Sequence, residues 1–105
     1  MIRTDYRENL TKYTHQVSDV ALHAIVRFCG IALRGKDSQF VSMTDEAEIK
    51  RVIKGFAAKK LGIDEAKARA GLKAVHDMMV EEKDKMRSTV YYLLAEVTGT
   101  LSKLA

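Results

Sequence analysis

The sequence predicts an all-α protein, a compact irregular bundle of about five helices around a central apolar helix near residues 18–33. Three observations point there. The 105 residues include no proline, so nothing forces a helix to kink. Apolar residues recur at the 3.6-residue period in segment after segment, and no alternating run is long enough for a useful strand. No Gly/Ser-rich linker or internal repeat divides the chain, and 47% hydrophobic with 30% charged residues suits one globular domain over residues 1–105.

The first helix is expected from about Asp5 to His15, with Tyr6, Leu10 and Tyr13 making a short docking stripe. The second starts on Ser18 as N-cap, with Val17 and Leu22 placed as a hydrophobic staple. Through Leu33 its strongly polar side chains are Asp19, His23 and Arg27, four apart, which fall in a strip of about 80°. With every other direction apolar, this helix is expected at the centre, covered on most sides, with Cys29 buried in it.

Arg34 to Ser38 forms a polar break. Gln39-Phe40-Val41 is expected to make a short turn of helix whose Phe40 plugs the core. A third long helix begins near Thr44 or Asp45, where Asp45 and Glu48 have capping-box spacing. Ile49, Val52, Ile53 and Phe56 form its inward stripe, and Leu61-Gly62 gives a glycine stop. Asp64 caps a fourth helix with Ala68, Leu72, Val75 and Met79 inward, and Gly71 beside that stripe suggests close helix approach. The charged run Glu81 to Lys85 is expected to break near Asp84. A fifth helix then carries Met86, Val90, Leu93, Leu94 and Val97 on one side, stops at Gly99, and leaves Leu101 and Leu104 to pack back.

Charge and cysteine content bound the function classes. Lys+Arg 18 against Asp+Glu 14 gives a net charge of +4, mildly basic and short of a dedicated polyanion binder. One cysteine excludes an internal disulfide framework and a cysteine-based structural zinc site. The stretch Val20 to Leu33 is too short to span a bilayer and holds His23 and Arg27. Met1 to Tyr6 holds no apolar leader segment, so a cytoplasmic protein without membrane contact is expected.

Asp19, His23 and Arg27 share a face and could support acid–base chemistry, but no nucleophile or second carboxylate is placed to complete it. The preferred reading is a solvated edge. Lys50, Arg51, Lys54 and Lys59 offer a basic face that could contact phosphates, without a recognisable nucleic-acid-binding signature. Lys60 falls inside the inward stripe of its helix; snorkelling along an apolar wall is preferred over pairing with Glu96 or Asp84. Tyr91 sits four after Arg87, where a guanidinium can stack on the ring. Tyr92 points about 100° away from Tyr91, so it is covered either by a helix of the same chain or by another subunit. Met78, Met79 and Met86 read as core filler. Cys29 reads as an inert core thiol, and His15 and His76 have no partner at ligand spacing. No cofactor, metal or catalytic residue is predicted.

Phe56 with Lys59-Lys60-Leu61-Gly62, then Lys85-Met86-Arg87 leading into Tyr91-Tyr92-Leu93-Leu94-Ala95-Glu96, resembles a small bacterial family of uncharacterised proteins, domain of unknown function 2853. The likeness is firmest from Glu48 to Thr98. It implies a bacterial, soluble, helical protein and transfers no catalytic or binding residue, while directing attention to Lys60, Arg87, Tyr91 and Tyr92 as interaction residues. The expected function is therefore non-enzymatic: protein–protein contact or self-association as a homo-oligomer through an aromatic-bearing helix face. Nucleic-acid association is the alternative, and a small enzyme centred on His23 comes last.

Overall fold

Helix starts fall where side chains can take over backbone donors. In the computed structural model, which describes residues 4–104, the Ser18 hydroxyl accepts from the Ala21 amide, the Asp45 carboxylate from Ala47 and the Asp64 carboxylate from Lys67. Each satisfies a donor that a helix end would otherwise leave open. The helices are α1 (Thr4–Leu10), α2 (Asp19–Cys29), α3 (Glu46–Val52), α4 (Glu65–Met78) and α5 (Arg87–Val97). Short 3-10 turns cover Gly30–Arg34 and Leu101–Leu104. The all-α bundle is as expected; the ends of the expected 1–105 domain lie outside the described residues. The break before α5 is present, and α1 ends at Leu10 instead of near His15.

Between α3 and α4 the chain winds wider. Ile53–Leu61 is a nine-residue π-helix ending on Gly62, whose φ of 67° is the left-handed conformation that favours glycine. The wider winding changes which side chains face inward: Ile53, Phe56, Ala57 and Leu61 are buried, and Lys60 is turned out to water. The expectation that Lys60 sits in the inward stripe assumed α-helical winding and is corrected by this register. Lys60 also does not pair with Glu96, which accepts from Thr14 instead.

Gln39–Val41 does not form a helical turn. Phe40–Val41 (β1) pairs antiparallel with Lys85–Met86 (β2), Phe40 opposite Met86. The cause is Arg87, whose Nε donates to the Ser38 carbonyl at 2.6 Å and whose Nη2 reaches the Phe40 carbonyl at 3.4 Å. Carbonyls held this way are unavailable to a helix. Phe40 is half-buried in this ribbon and does not plug the core.

The centre of the bundle is α5, not α2. Every residue from Arg87 to Ala95 is buried, and α1, α2 and α4 all pack on this helix. On α2 only Ala21, Leu22 and Ile25 are buried, while Val20 is 60% and Phe28 38% exposed. The sequence reading placed the most apolar helix innermost. Burial instead follows satisfied polar groups: the Tyr92 hydroxyl accepts from the Ser18 amide at 2.8 Å, Thr89 donates to Asn9, and Arg87 pairs with Glu48. Such pairing removes the cost of burying polar atoms that hydropathy counts against a core helix.

Where α4 crosses α5, Gly71 admits the close approach expected of it. A Cβ there would stand 2.7 Å from Leu94 Cδ1 and 2.9 Å from Thr98 Cγ2. Of the methionines, Met79 is fully buried, but Met78 is exposed and Met86 half-buried; Val97, expected inward, is also exposed. These positions lie at or beside helix ends. Leu104 packs back as anticipated.

Candidate functional site

One face of α2 carries Val20, Ala24, Arg27 and Phe28 at i, i+4, i+7 and i+8, with Phe28 at its edge toward Tyr91 of α5. Ile31, just beyond Gly30, is 82% exposed. Phe28 stands between two clefts, and of the four expected interaction residues Lys60, Arg87 and Tyr91 line them.

The first cleft, about 260 Å³, runs from Phe28 to the α5 wall and is lined by Cys29, Arg51, Gly55, Phe56, Arg87 and Tyr91. Its aromatic walls are in mutual contact: Phe56 stacks on Tyr91 with centroids 4.3 Å apart, and Phe28 lies 5.5 Å from Phe56. Arg87 is held from several sides. Its Nη1 donates to the Tyr91 hydroxyl at 2.9 Å, its Nη2 to Glu48 at 2.6 Å, and its guanidinium lies 5.7 Å from the Tyr91 ring centroid. Glu48 also accepts from Arg51 at 3.3 Å. The expected capping role of Glu48 therefore gives way to an ion-pair role, and the Asp45 amide donates to Ser42 instead. Arg87 and Tyr91 form an inner wall, not an outer contact surface.

The titrating groups of this cleft are held in their protonated forms. Burial pushes the Cys29 thiol up to about 12, against the pull of the Arg87 charge. Burial likewise raises the Tyr91 hydroxyl, outweighing the nearby guanidinium. Neither group ionises near neutral pH, so neither is a ready nucleophile or base.

The second cleft, about 340 Å³, lies on the other side of Phe28 and is lined by Ala24, Arg27, Lys60, Lys103 and Leu104. The Lys60 ammonium sits 5.5 Å from the Phe28 ring centroid, a cation–π placement. Three cations from three different elements converge there. Among the described residues, none of Arg27, Lys60 and Lys103 forms an ion pair.

The other singled residues separate from this face. Tyr92 is fully buried inside the chain, its hydroxyl accepting from Ser18 and donating to the Gln16 carbonyl at 3.4 Å. An intersubunit role for it is excluded, and the aromatic helix face expected to self-associate is consumed by intramolecular packing. Asp19 pairs with Arg7 at 3.2 Å, and His23 is exposed and lines neither cleft. Lys50, Arg51, Lys54 and Lys59 are all exposed. Lys50 and Arg51 lie on α3, and Lys54 and Lys59 on the π-helix that continues it. His76 lines a separate cleft of about 200 Å³ with Ile49, Arg69 and Lys73, and its buried Nδ1 has no hydrogen-bond partner. Among the described residues no three His, Cys, Asp or Glu side chains gather to hold a metal.

Sequence reasoning missed Phe28, Lys103 and Gly55. Phe28 was hidden by the assumption that an apolar helix is covered all round. Gly55, a glycine inside a helical run, gave the same signal that singled out Gly71.

A five-helix bundle with a polar-paired central helix and an aromatic, cation-rimmed face defines the class of this molecule: a small all-α protein. The chain belongs to the family described as "Protein of unknown function (DUF2853)", whose model matches residues 5–102. No curated protein matches the chain closely enough to count as a relative. Among the described residues no helix is long and apolar enough to cross a membrane.

Proposed function

We propose that this chain is a non-enzymatic protein acting through protein–protein contact, docking an acidic, partly apolar segment of a partner on the face around Phe28. The observation that carries the reading is the exposed row Val20, Phe28 and Ile31 flanked by the unpaired cations Arg27, Lys60 and Lys103. Exposed apolar side chains in a row mark contact surfaces, and aromatic and arginine anchors dominate their energetics. Uncompensated cations around such a row call for acidic groups opposite. A second copy fits less well, because two-fold pairing about this face would set the same three cations against themselves. The protonated states of Cys29 and Tyr91 support binding over catalysis. The family resemblance supports a bacterial cytoplasmic protein, a setting with which the lone thiol of Cys29 is compatible.

The test is an array of amphipathic peptides, Glu/Leu/Phe-rich against matched Lys-rich, read by amide shift perturbation. Acidic peptides should perturb residues around Phe28 and Lys60, and Phe28→Ala should weaken them at least tenfold. Equal binding of both peptide classes, or perturbations mapping to another face, would refute the reading.

One observation favours a second reading: Lys50, Arg51, Lys54 and Lys59 are all exposed along the ridge of α3 and the π-helix that continues it. Such a ridge suits a nucleic-acid backbone. If four phosphates are neutralised, the logarithm of affinity for single-stranded RNA should fall with log salt at a slope of roughly −3. A Lys50, Lys54, Lys59 triple alanine variant should flatten that slope; unchanged binding ends this reading.

A further inference from the structure

The cleft behind Phe28 has unspent hydrogen-bonding capacity at its inner wall. The Tyr91 hydroxyl accepts from Arg87 and, among the described residues, donates to nothing. Arg87 spends Nε on Ser38, one Nη1 proton on Tyr91, and Nη2 on Glu48 and Phe40, which leaves one Nη1 proton over. Two donors, one hydroxyl and one guanidinium, thus remain on residues lining a cavity otherwise walled by Phe28 and Phe56. Charge points the same way: Arg51 and Arg87 carry +2 against −1 on Glu48, leaving one net positive charge at the cleft.

Gly55 supplies a second, independent observation. Glycine inside a helix costs about 1 kcal/mol against alanine, and here nothing within 4 Å would obstruct a Cβ. Gly55 has no left-handed φ and no close neighbour to require it. It does line the cleft, where a side chain would occupy free volume. An unobstructed glycine is accounted for if that volume has an occupant. The surrounding winding agrees, since π-helical segments occur frequently at functional sites.

We propose that this cleft is a binding site for a small monocarboxylate with a flat apolar body. The carboxylate accepts from the Tyr91 hydroxyl and the spare Arg87 Nη1 proton, while the body lies against Phe28 and Phe56 beside Gly55. About 260 Å³ limits the occupant to a small acid. The site lies behind the docking face and shares Phe28 with it.

The experiment titrates intact protein into 4-fluorophenylacetate and its amide, 4-fluorophenylacetamide, with fluorine NMR as readout. The acid should show saturable binding, at least tenfold tighter than the amide. Gly55→Leu should keep the circular dichroism spectrum of the parent, unfold at no lower a midpoint, and lose binding. Tyr91→Phe keeps the ring and removes the donor, and should weaken binding about tenfold. Lys60→Glu, outside this cleft, should abolish docking of acidic peptides and leave the acid bound as before, which separates this site from the docking face. Absence of saturable binding by the parent protein, equal affinity for acid and amide, or undiminished binding to Gly55→Leu would each overturn the proposal.

Discussion

Two glycines in helical segments offer a controlled measurement of how tightly α4 and α5 are pressed together. Gly55 and Gly71 both have ordinary negative φ, so alanine fits the backbone at either place and gains about 1 kcal/mol of helix propensity. Their surroundings differ. At Gly55 a Cβ meets nothing within 4 Å, and Gly55→Ala should stabilise the protein by roughly that 1 kcal/mol. At Gly71 the Cβ would stand 2.7 Å from Leu94 Cδ1 and 2.9 Å from Thr98 Cγ2, where carbon atoms prefer about 3.5–4.0 Å.

Neither neighbour of Gly71 gives way easily. Leu94 is fully buried, and Thr98 is held by its hydroxyl donating to the Leu94 carbonyl at 2.7 Å and bonding Thr100 at 2.8 Å. Relieving such a contact costs about 1–3 kcal/mol. Against the propensity gain, Gly71→Ala should be net destabilising by about 0–2 kcal/mol. Because propensity cancels between the two variants, the difference between them isolates the packing cost. Urea unfolding followed by far-ultraviolet circular dichroism gives both values, and the midpoint temperatures should separate by at least about 4 °C. In a double-mutant cycle Leu94→Ala should lose less stability in the Gly71→Ala background than in the parent. A Gly71→Ala protein as stable as Gly55→Ala would refute the close crossing on which α5's central position rests.

Three further outcomes follow from α5 and its surroundings. The Ser88 Oγ is buried with no hydrogen-bond partner, so Ser88→Ala should be neutral or stabilising by up to about 1 kcal/mol in urea unfolding; a clear loss would mean that the hydroxyl is bonded. Arg87→Ala strips the partner from a Glu48 carboxylate whose side chain is only 13% exposed, and should cost about 3–5 kcal/mol, with Arg87→Lys losing less because the charge remains. The Cys29 thiol is raised from 9.0 to about 12 by burial. Its unfolded form therefore ionises first: its contribution to stability is full below pH 9 and falls as pH rises toward 12. Cys29→Ala should flatten the unfolding midpoint's dependence on pH across that window, and iodoacetamide should label the native thiol far more slowly than the unfolded one.

The features that local chemistry decides were legible in the sequence. Ser18, Asp45 and Asp64 cap helices because a short acceptor precedes an amphipathic run, and Gly62 ends one because the chain must turn left-handed there. Gly71's close approach was legible for the same reason. What escaped depends on partners remote in sequence. The β1–β2 ribbon exists because Arg87 takes carbonyls from Ser38 and Phe40, and no window around Gln39 contains that information. The outward turn of Lys60 follows from π-helical winding, which the period-3.6 reading cannot produce.

The interchange of α2 and α5 also bears on function. Hydropathy ranks α2 as the inner helix, yet α5 takes that place by pairing its arginine, threonine and tyrosine with Glu48, Asn9 and Ser18. Once α5 fills the centre, α2 needs only the Ala21, Leu22 and Ile25 side to hold its position. Val20 is then an apolar residue beyond what packing of α2 requires, as is Ile31 just past its end, while Phe28 is partly exposed and packs its ring on Phe56. Val20 and Ile31, near three cations that form no ion pair among the described residues, add little to stability, because polar replacements there would leave the core intact. The same segment that misleads a reading of the core is thus the one on which the proposed docking rests.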